Sequence, residues 1–232
     1  MKKKLKVAQC WDDGVYTDIL LTDILKEYDA KATFNLCSGL IYDRSEKPFW
    51  FPRTGQLKLP MKTFHPGRVG RKKLKKVYSK FEVASHCDKH ENATKIDPHA
   101  FVESAVKCRK FLEDIFEKEC PGFAWPYGSY TEETVKLMQE AGFAYGRTTQ
   151  TTEDVTAYEN PMKLATSCHF MDSKFWQLYD KAKETTGVFY FWGHSYEMMD
   201  YFRYWENFEY IIQCISDDPE AEWVNVIDLV RS

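Results

Sequence analysis

Hydrophobic positions along the chain alternate between short, nearly continuous runs and stretches with helical spacing. Leu5 to Trp11 is a run typical of a buried strand, and Thr17 to Tyr28 carries apolar residues three and four positions apart. A second run from Lys31 to Leu36 predicts another strand. The chain therefore opens with a β-α-β unit.

The same alternation resumes after residue 79 and continues almost to the C-terminus. It predicts strands and helices in this order: strand Phe81–Ser85, helix Pro98–Glu117, strand Gly122–Trp125, helix Thr131–Ala141, strand Phe143–Thr148, strand Lys163–Cys168, helix Ser173–Lys183, strand Gly187–Trp192, helix Trp205–Ser216 and strand Trp223–Ile227. Strands that alternate with helices pair in parallel through right-handed crossovers. About seven or eight parallel strands predict an α/β fold, an irregular β/α barrel in which residues 1–232 form a single domain.

One long segment interrupts this pattern. Between Cys37 and about Ser79 the chain is rich in proline, glycine and basic residues, and we expect a loop excursion at about 37–79. Loops of this length in compact domains are usually functional or mobile. The aromatic stretch Phe49-Trp50-Phe51 is equally compatible with closing over a site and with anchoring the loop.

Composition excludes several classes of function. The 232 residues have a formal net charge of -3, and clustered basic residues occur only at Lys2–Lys4 and Arg71–Lys76, which argues against a nucleic-acid partner. The 7 cysteines include no CxxC pair, which favours reduced thiols over a disulfide scaffold. No stretch has the length of a membrane span or the pattern of a signal peptide, so we expect a cytoplasmic protein, or a secreted one if a longer chain was trimmed.

Polar residues that are unusual next to apolar runs follow several of the predicted strands. They are Asp12 and Asp13, His86 and His90, Tyr127, and His194. Active sites of β/α barrels lie at the C-terminal ends of the strands. We therefore expect these side chains to converge.

Two adjacent carboxylates, Asp12 and Asp13, end the first predicted strand and precede Gly14. Burying them is costly unless a cation or hydrogen bonds compensate. Successive side chains at a strand end point in different directions, so Asp13 can bind an ion while Asp12 stays free to take a proton from water. Taken alone, the Asp-Gly pair is more typical of a turn or a helix N-cap.

The histidines His86 and His90 are four residues apart, so one helical turn would place both imidazoles on one face. A solvated histidine pair in an acidic loop with Asp88 and Glu91 fits the sequence equally well. Combined with Asp13, the two imidazoles form a two-histidine, one-carboxylate site with open positions for water and substrate. The expected cofactor is one divalent metal ion, first of all zinc, with cobalt, nickel, iron or manganese as alternatives.

Four sequence motifs carry a resemblance to a known family. They are Cys10-Trp11-Asp12-Asp13-Gly14, Ser85-His86-Cys87-Asp88-Lys89-His90, Phe123-Ala124-Trp125-Pro126-Tyr127-Gly128 and Phe191-Trp192-Gly193-His194-Ser195. In this order they resemble the polysaccharide deacetylase superfamily, carbohydrate esterase family four, over nearly the whole chain. The resemblance implies a metal-dependent hydrolase that removes an N- or O-acetyl group from a carbohydrate.

The resemblance also implies roles for individual residues. Asp12 acts as the general base towards water activated at the metal, and protonated His194 acts as the general acid towards the leaving amine or alcohol. The backbone N–H near Tyr127 helps to hold the oxyanion. A capping or core role for His194 remains open. The substrate-binding residues implied are Trp125, Pro126, Tyr127, Trp192 and His169.

The chain departs from the family pattern at two points. Ala124 stands where many members carry an arginine that orients the catalytic base, and the Asp-and-Trp motif that assists the histidine corresponding to His194 is not recognisable. Arg147, at the end of a neighbouring predicted strand, is a candidate for the missing catalytic arginine. A surface ion pair for Arg147 and a core role for His169 are open alternatives.

Two further functions are compatible with these departures. The first is hydrolysis of a small non-sugar amide or a cyclic imide at the same metal centre, because the superfamily contains such hydrolases. The second is a carbohydrate-binding pseudoenzyme that has lost turnover, although the presence of Asp12, Asp13 and His194 argues against it. The sequence leaves the exact substrate and the oligomeric state open.

Overall fold

A computed structural model describes residues 4–50, 64–199 and 204–231. Its strands are β1 (Leu5–Asp12), β2 (Thr33–Leu36), β3 (Phe49–Trp50), β4 (Phe64–His65), β5 (Glu82–Ser85), β6 (Gly122–Ala124), β7 (Tyr145–Thr151), β8 (Leu164–Thr166), β9 (Cys168–His169), β10 (Val188–Gly193) and β11 (Ala221–Trp223). Its helices are α1 (Asp18–Glu27), α2 (Leu74–Tyr78), α3 (Pro98–Phe116), α4 (Glu132–Glu140), α5 (Phe175–Glu184) and α6 (Tyr204–Ser216). Strands and helices alternate as the sequence predicts.

The main sheet is parallel and curls into a nearly closed barrel. Its strand order is β8-β7-β6-β5-β2-β1-β10-β9, and the two ends of this path, β8 and β9, are separated in sequence by Ser167 alone. The Ser167 N–H donates to the Tyr190 carbonyl (2.6 Å), and the Ser167 hydroxyl accepts from the Tyr190 N–H (3.0 Å). One kinked segment thus pairs with β7 and then with β10. The predicted irregular β/α barrel is confirmed.

Both faces of the first strand are buried, which explains its nearly continuous apolar sequence. Val7 and Trp11 pack with residues of the surrounding helices, whereas Ala8 and Cys10 pack with Tyr190 and other residues inside the barrel. Neighbouring side chains of a strand point to opposite faces, so the run supplies both layers at once. The strand is thereby fixed at the centre of the fold.

Local capping signals explain why the helix boundaries were predictable. Asp97 precedes α3 and its carboxylate accepts from the Ala100 N–H (3.0 Å), while Pro98 occupies the first turn. Thr131 forms a capping box with Thr134 at the start of α4. Each cap stabilises its helix by about 1 kcal/mol. No helix in the described ranges is both long and apolar enough to cross a membrane.

Two predicted strands at the C-terminal side differ in the structure. The predicted strand Lys163–Cys168 is divided into β8 and β9, as described above. The predicted strand Trp223–Ile227 ends at Trp223, because Asn225 forms a capping box with Asp228 and starts a 3-10 turn. The strand β11 pairs with β1 from Leu5 to Val7, before the part of β1 that pairs with β2.

The excursion at 37–79 contains more regular structure than the sequence predicts. The short strands β3 and β4 pair antiparallel, and Glu46 and Arg68 exchange two backbone hydrogen bonds of 2.9 Å beside them. The basic run Arg71–Lys76 forms a 3-10 turn that leads into α2. Residues 51–63, and with them Phe51 of the aromatic stretch, lie outside the described residues, so the role of that stretch stays a prediction.

Candidate active site

The strand register brings the predicted site residues to one edge of the barrel. Asp12 at the end of β1 is level with Asn35 of β2, and Trp11 is level with Gly193 of β10. His86 directly follows β5. Because all these strands are parallel, the residues that follow them meet at the C-terminal edge.

Asp13, His86 and His90 form a cluster at this edge. The Asp13 Oδ1 atom lies 3.7 Å from His90 Nε2 and 4.0 Å from His86 Nε2. One ligand atom from each residue lies within 4.8 Å of the other two, a geometry that could hold a metal ion. The backbone of Asp13 has a positive φ of 82°, which turns its carboxylate away from the strand direction and towards the histidines.

The ring of His86 is oriented by its other nitrogen. Nδ1 lies 2.7 Å from the Ala124 carbonyl oxygen. A carbonyl oxygen can only accept, so Nδ1 carries the proton. The lone pair of Nε2 is therefore free on the side of the ring that faces Asp13. Burial lowers the pKa of His86 to about 4, against the opposing effect of Asp12. The imidazole is therefore neutral at pH 7, which is the form that binds metals.

The segment between the two histidines is not a helical turn, and that part of the prediction is wrong. Cys87 and His90 both have positive φ, 63° and 59°. The rings nevertheless approach edge to face, with centroids 4.7 Å apart. A tight turn with two left-handed residues thus achieves the proximity that the four-residue spacing suggested.

Asp88 holds this turn in place. Its carboxylate accepts from the Ser38 hydroxyl (2.7 Å) and from the Lys107 ammonium (2.7 Å), and its N–H donates to the Ser104 hydroxyl (2.9 Å). Gly39 leaves the necessary room, because a Cβ atom there would lie 2.7 Å from an Asp88 carboxylate oxygen. His86 and His90 therefore lie on a loop that is tied to α3 and to the segment after β2.

Asp12 is 3 % exposed and has a set of partners distinct from those of Asp13. Asn35 Nδ2 donates to Asp12 Oδ1 (2.7 Å), and the Nη2 atom of Arg147 donates to both carboxylate oxygens. Burial raises the pKa of Asp12, but Arg147, His86 and His194 outweigh burial and hold the pKa below its usual value. Asp12 is therefore an oriented, ionised carboxylate beside the cluster.

Arg147 reaches Asp12 from the strand next to Ala124. In the β6–β7 register Ala124 is the direct partner of Arg147. The guanidinium is 1 % exposed and also lies over the Trp192 ring, 4.9 Å from its centroid. The alternative of a surface ion pair is wrong, because the salt bridge of Arg147 to Asp12 is buried.

His194 lies across from the two aspartates. Its Nε2 atom is 4.0 Å from Asp12 Oδ2 and 4.0 Å from Asp13 Oδ2. Burial by itself lowers the pKa of His194, but Glu197, Asp12 and Asp13 outweigh burial and raise it to about 9. The imidazole is therefore protonated at pH 7 and can donate a proton.

Glu197 is a site residue that the sequence reasoning missed. Its Oε2 atom accepts from the His194 backbone N–H (2.9 Å), lies 3.0 Å from His169 Nε2, and is 3.4 Å from His194 Nδ1. Burial raises the pKa of Glu197, but the two histidines lower it to about 2. A single carboxylate thus bridges two imidazoles. Its position three residues after His194, in a 3-10 turn, was the available sequence signal.

The remaining predicted residues occupy different depths. The Tyr127 side chain is 65 % exposed and its ring meets His90 edge to face, while Trp192 is half-buried between Arg147 and His169. Trp125 is fully buried, stacks on Phe101 and donates from Nε1 to a core carbonyl.

The buried positions narrow the set of side chains open to a substrate. The Trp125 ring packs in the core, so we leave it out of the proposed substrate-binding set. Pro126 is also buried. His169 is half-buried at the end of β9 and bound to Glu197, so it is not a core residue.

Comparisons with known proteins agree with this geometry. The family model for polysaccharide deacetylases matches residues 1–146, which contain the motifs around Asp12, His86 and Tyr127. The search of curated proteins finds no match.

Solved structures with a similar fold are distant in sequence. Peptidoglycan deacetylase PdaC from Bacillus subtilis has a TM-score of 0.56 and 17% identity, over 99% of this chain and 91% of that one. The Xyl-CE4 domain of a multidomain xylanase from the hindgut metagenome of Trinervitermes trinervoides has a TM-score of 0.55 and 15% identity, over 98% of this chain and 89% of that one. Deacetylase PplD from Streptococcus pyogenes, in complex with acetate, has a TM-score of 0.53 and 19% identity, over 67% of this chain and only 61% of that one.

These structural likenesses concern the fold, whereas the family match covers part of the site. It spans 146 of the 232 residues and includes Asp12, Asp13, His86 and His90, while Arg147, His194 and Glu197 lie beyond it. The chain belongs to the polysaccharide deacetylase family.

Proposed function

We propose that this protein is a metal-dependent deacetylase of an N- or O-acetylated carbohydrate, with the ion held by Asp13, His86 and His90. The observation that carries the proposal is the convergence of these three ligand atoms, from two separate strand ends, within 4.8 Å of one another. Family membership makes a carbohydrate acyl group the substrate class.

The donor set fits a divalent ion. Two imidazoles and one carboxylate are ligands of zinc and of other first-row metals, and three protein ligands leave positions for water and substrate. The Nδ1–H of His86 is already engaged by the Ala124 carbonyl, so its Nε2 is preset as an acceptor of a cation. Zinc is the first candidate.

A bound divalent ion would polarise the acyl carbonyl and make water more acidic. Asp12 would accept the proton of the attacking water. Its carboxylate is kept ionised by Arg147 and oriented by Arg147 and Asn35, so it needs no rearrangement before accepting a proton.

Protonated His194 supplies the proton to the leaving amine or alcohol. It stands opposite Asp12, with Nε2 facing the aspartates and Nδ1 facing Glu197. Amide and ester hydrolysis use a base for the water and an acid for the leaving group, and here the two groups lie 4.0 Å apart. Glu197 stabilises the imidazolium and ties its position to His169.

The Tyr127 and Trp192 side chains are candidates for contact with the sugar, and the backbone N–H near Tyr127 for contact with the oxyanion. The Tyr127 ring is exposed next to His90, where a sugar ring bound at the cluster would lie. Hydrolysis of an imide was an alternative because Ala124 replaces the expected arginine. Since Arg147 binds Asp12 from the neighbouring strand, that reason no longer favours an imide over an acylated sugar.

The test combines metal content with acetate release. Purified wild type should contain about one divalent ion per chain by elemental analysis, and Asp13→Ala should contain far less. Wild type should release acetate from at least one member of a panel of chitooligosaccharides, peptidoglycan fragments and acetylated xylan, and a chelator should abolish the release. Retention of stoichiometric metal by Asp13→Ala would overturn the ligand assignment.

A second variant tests the role of Asp12 as the base separately from the roles of the metal ligands. Asp12→Asn should keep its metal and lose acetate release, because amide in place of carboxylate cannot accept the proton. If wild type bound acetylated sugars without hydrolysing any of them, with metal loaded, the pseudoenzyme interpretation would replace the deacetylase.

A further inference from the structure

A cavity lined by cations lies outside the cluster of Asp12, Asp13 and the histidines. Its volume is about 260 Å³, and it is lined by Tyr16, Asp43, Arg44, Ser45, Lys47, Lys72 and Lys73. Four of these side chains are cations and one is an anion, in a chain whose overall net charge is -3. We call this cavity the basic groove.

The basic groove has more cationic than anionic side chains in its lining. Within residues 4–50, 64–199 and 204–231, none of the four takes part in an ion pair, whereas Lys75 pairs with Glu117 (2.6 Å) and Lys183 with Asp218 (2.8 Å). Like charges held close together repel, and a concave basic surface attracts a mobile anion. The groove therefore keeps a positive potential.

The walls of the basic groove are joined by backbone contacts. Glu46 and Arg68 exchange two backbone hydrogen bonds, and the Arg71 N–H donates to the Tyr42 carbonyl (2.8 Å). The chain at Gly70 and the chain at Arg44 approach each other so closely that a Cβ atom on Gly70 would lie 2.3 Å from the Arg44 backbone. The cations of the groove thus lie on two segments that backbone hydrogen bonds hold together.

The basic groove is continuous with the loop that carries the two aspartates. The Val69 N–H donates to the Gly14 carbonyl (3.1 Å), and the Arg68 guanidinium donates to the Asp13 carbonyl. Tyr16, two residues after Gly14, contributes its ring to the groove, with the Lys73 ammonium 5.8 Å from the ring centroid. The groove is therefore joined to the loop that carries Asp13 through the backbone contacts of Arg68 and Val69 and through Tyr16.

From this placement we propose that the basic groove binds an anionic group of the glycan, a carboxylate or a phosphate, while the acyl group lies at Asp13, His86 and His90. The proposal rests on the proposed function and narrows its substrate class to acidic glycans. The aliphatic stems of the lysines and the Tyr16 ring offer an apolar surface to the sugar, and the four cations would pair with its anion. A concave site suits one substrate molecule better than a flat lipid surface.

The test is a pair of charge-matched double variants. Lys72→Ala/Lys73→Ala removes two cations from the groove, and Lys110→Ala/Lys174→Ala removes two exposed lysines elsewhere. Calorimetry should measure binding of three probes: a tetrasaccharide of alternating N-acetylglucosamine and N-acetylmuramic acid, N-acetylglucosamine 6-phosphate, and neutral tetra-N-acetylchitotetraose. The first two probes distinguish a carboxylate from a phosphate.

At low salt the groove variant should bind at least one acidic probe about fivefold or more weakly, since each exposed ion pair contributes modestly. The control variant should match wild type, and the neutral probe should change less than about twofold. Added salt at about 0.5 M should shrink the difference because exposed charges are screened. In turnover, KM for the acidic substrate should rise more than kcat falls.

Equal binding of acidic and neutral probes by wild type would overturn the proposal. So would a groove variant that loses only binding to vesicles containing anionic lipid, which would make the groove a membrane contact. If no acyl sugar is hydrolysed by wild type, the proposed function fails, and the calorimetric comparison still decides whether the groove binds anionic glycans.

Discussion

Arg147 and Ala124 lie directly opposite each other on neighbouring parallel strands, and the guanidinium of Arg147 reaches the carboxylate of Asp12 from that position. Residues in register on adjacent strands present their side chains to the same side of the sheet. Arg147 on β7 therefore supplies the positive charge that the family pattern places at residue 124 on β6.

Replacing Arg147 by methionine keeps most of the side-chain volume and removes the charge. The buried Asp12 carboxylate then loses its cation, so its pKa should rise towards and above its usual value. We expect kcat/KM at pH 7 to fall about 100-fold or more, and the acid limb of the pH profile to move to higher pH. Thermal unfolding should also show a loss of about 3 kcal/mol, because an unpaired buried charge remains.

A charge exchange tests whether the location of the arginine matters. The double variant Ala124→Arg/Arg147→Ala should recover part of the activity that Arg147→Ala loses. Arg109→Met, on α3 and bonded to the Ala141 carbonyl away from the site, is the control and should keep wild-type activity. A pH profile of Arg147→Met that coincides with that of wild type would contradict the role of Arg147.

The sequence was most informative about polar residues that directly follow a predicted strand. Asp13, His86 and His90 could be grouped in advance because parallel strands end at a common edge. The contact between Arg147 and Asp12 could only be suggested, since it depends on which strands are neighbours. The closure of the barrel at Ser167 was not predictable, because one continuous apolar run serves two different partner strands.

Two features of the site have local causes that the sequence does not reveal. Trp125 follows a three-residue strand, too short for alternation to show which way the ring points, and it packs inward against Phe101. Glu197 was missed because its role depends on a 3-10 turn that folds its side chain back to His169 and His194. Turn geometry of this kind is set by tertiary contacts.

Glu197→Gln tests whether this carboxylate acts through His194. Glutamine keeps the size but stabilises an imidazolium poorly, so proton donation to the leaving group should weaken. We expect kcat for an N-acetylated sugar to fall about 100-fold. Hydrolysis of 4-nitrophenyl acetate, whose leaving group needs no proton, should change only a few-fold, and metal content should be unchanged.

The selectivity for leaving group is the decisive readout for Glu197. A merely structural defect would reduce both activities in parallel and would lower the melting temperature. Glu184→Gln, at the exposed end of α5, is the matched control and should leave both activities at wild-type values. Equal losses of amide and activated-ester hydrolysis in Glu197→Gln would refute the positioning role.

Metal binding should also stabilise the fold. An ion that binds the folded chain at about 100 times its Kd adds about 2.7 kcal/mol to the free energy of unfolding. Added zinc should therefore raise the melting temperature of chelator-treated wild type by several degrees, and His90→Ala should lose this rise. His99→Ala, an exposed histidine on α3, should retain it. A full zinc-dependent rise in His90→Ala would exclude His90 as a ligand.

Asp18 gives the stability a pH dependence of its own. The side chain is fully buried and accepts from the Tyr78 hydroxyl (2.7 Å) and from the Ser195 hydroxyl (2.5 Å). Burial raises the pKa of Asp18 from 3.8 to about 7. Between these two values the unfolded chain loses a proton that the folded chain keeps, so the free energy of unfolding falls as pH rises, by about 4 kcal/mol in total.

The variant Asp18→Asn should remove this dependence. Asparagine stays neutral, so below pH 4 the variant gains nothing over wild type, and its relative stability should increase between pH 5 and pH 8 by about 2 to 3 kcal/mol. Thermal unfolding at a series of pH values measures this as a growing difference in melting temperature. Asp23→Asn changes an exposed residue of the same helix and should follow wild type at every pH. A difference between Asp18→Asn and wild type that stays constant from pH 5 to pH 8 would show that Asp18 is already ionised in the folded protein at pH 5.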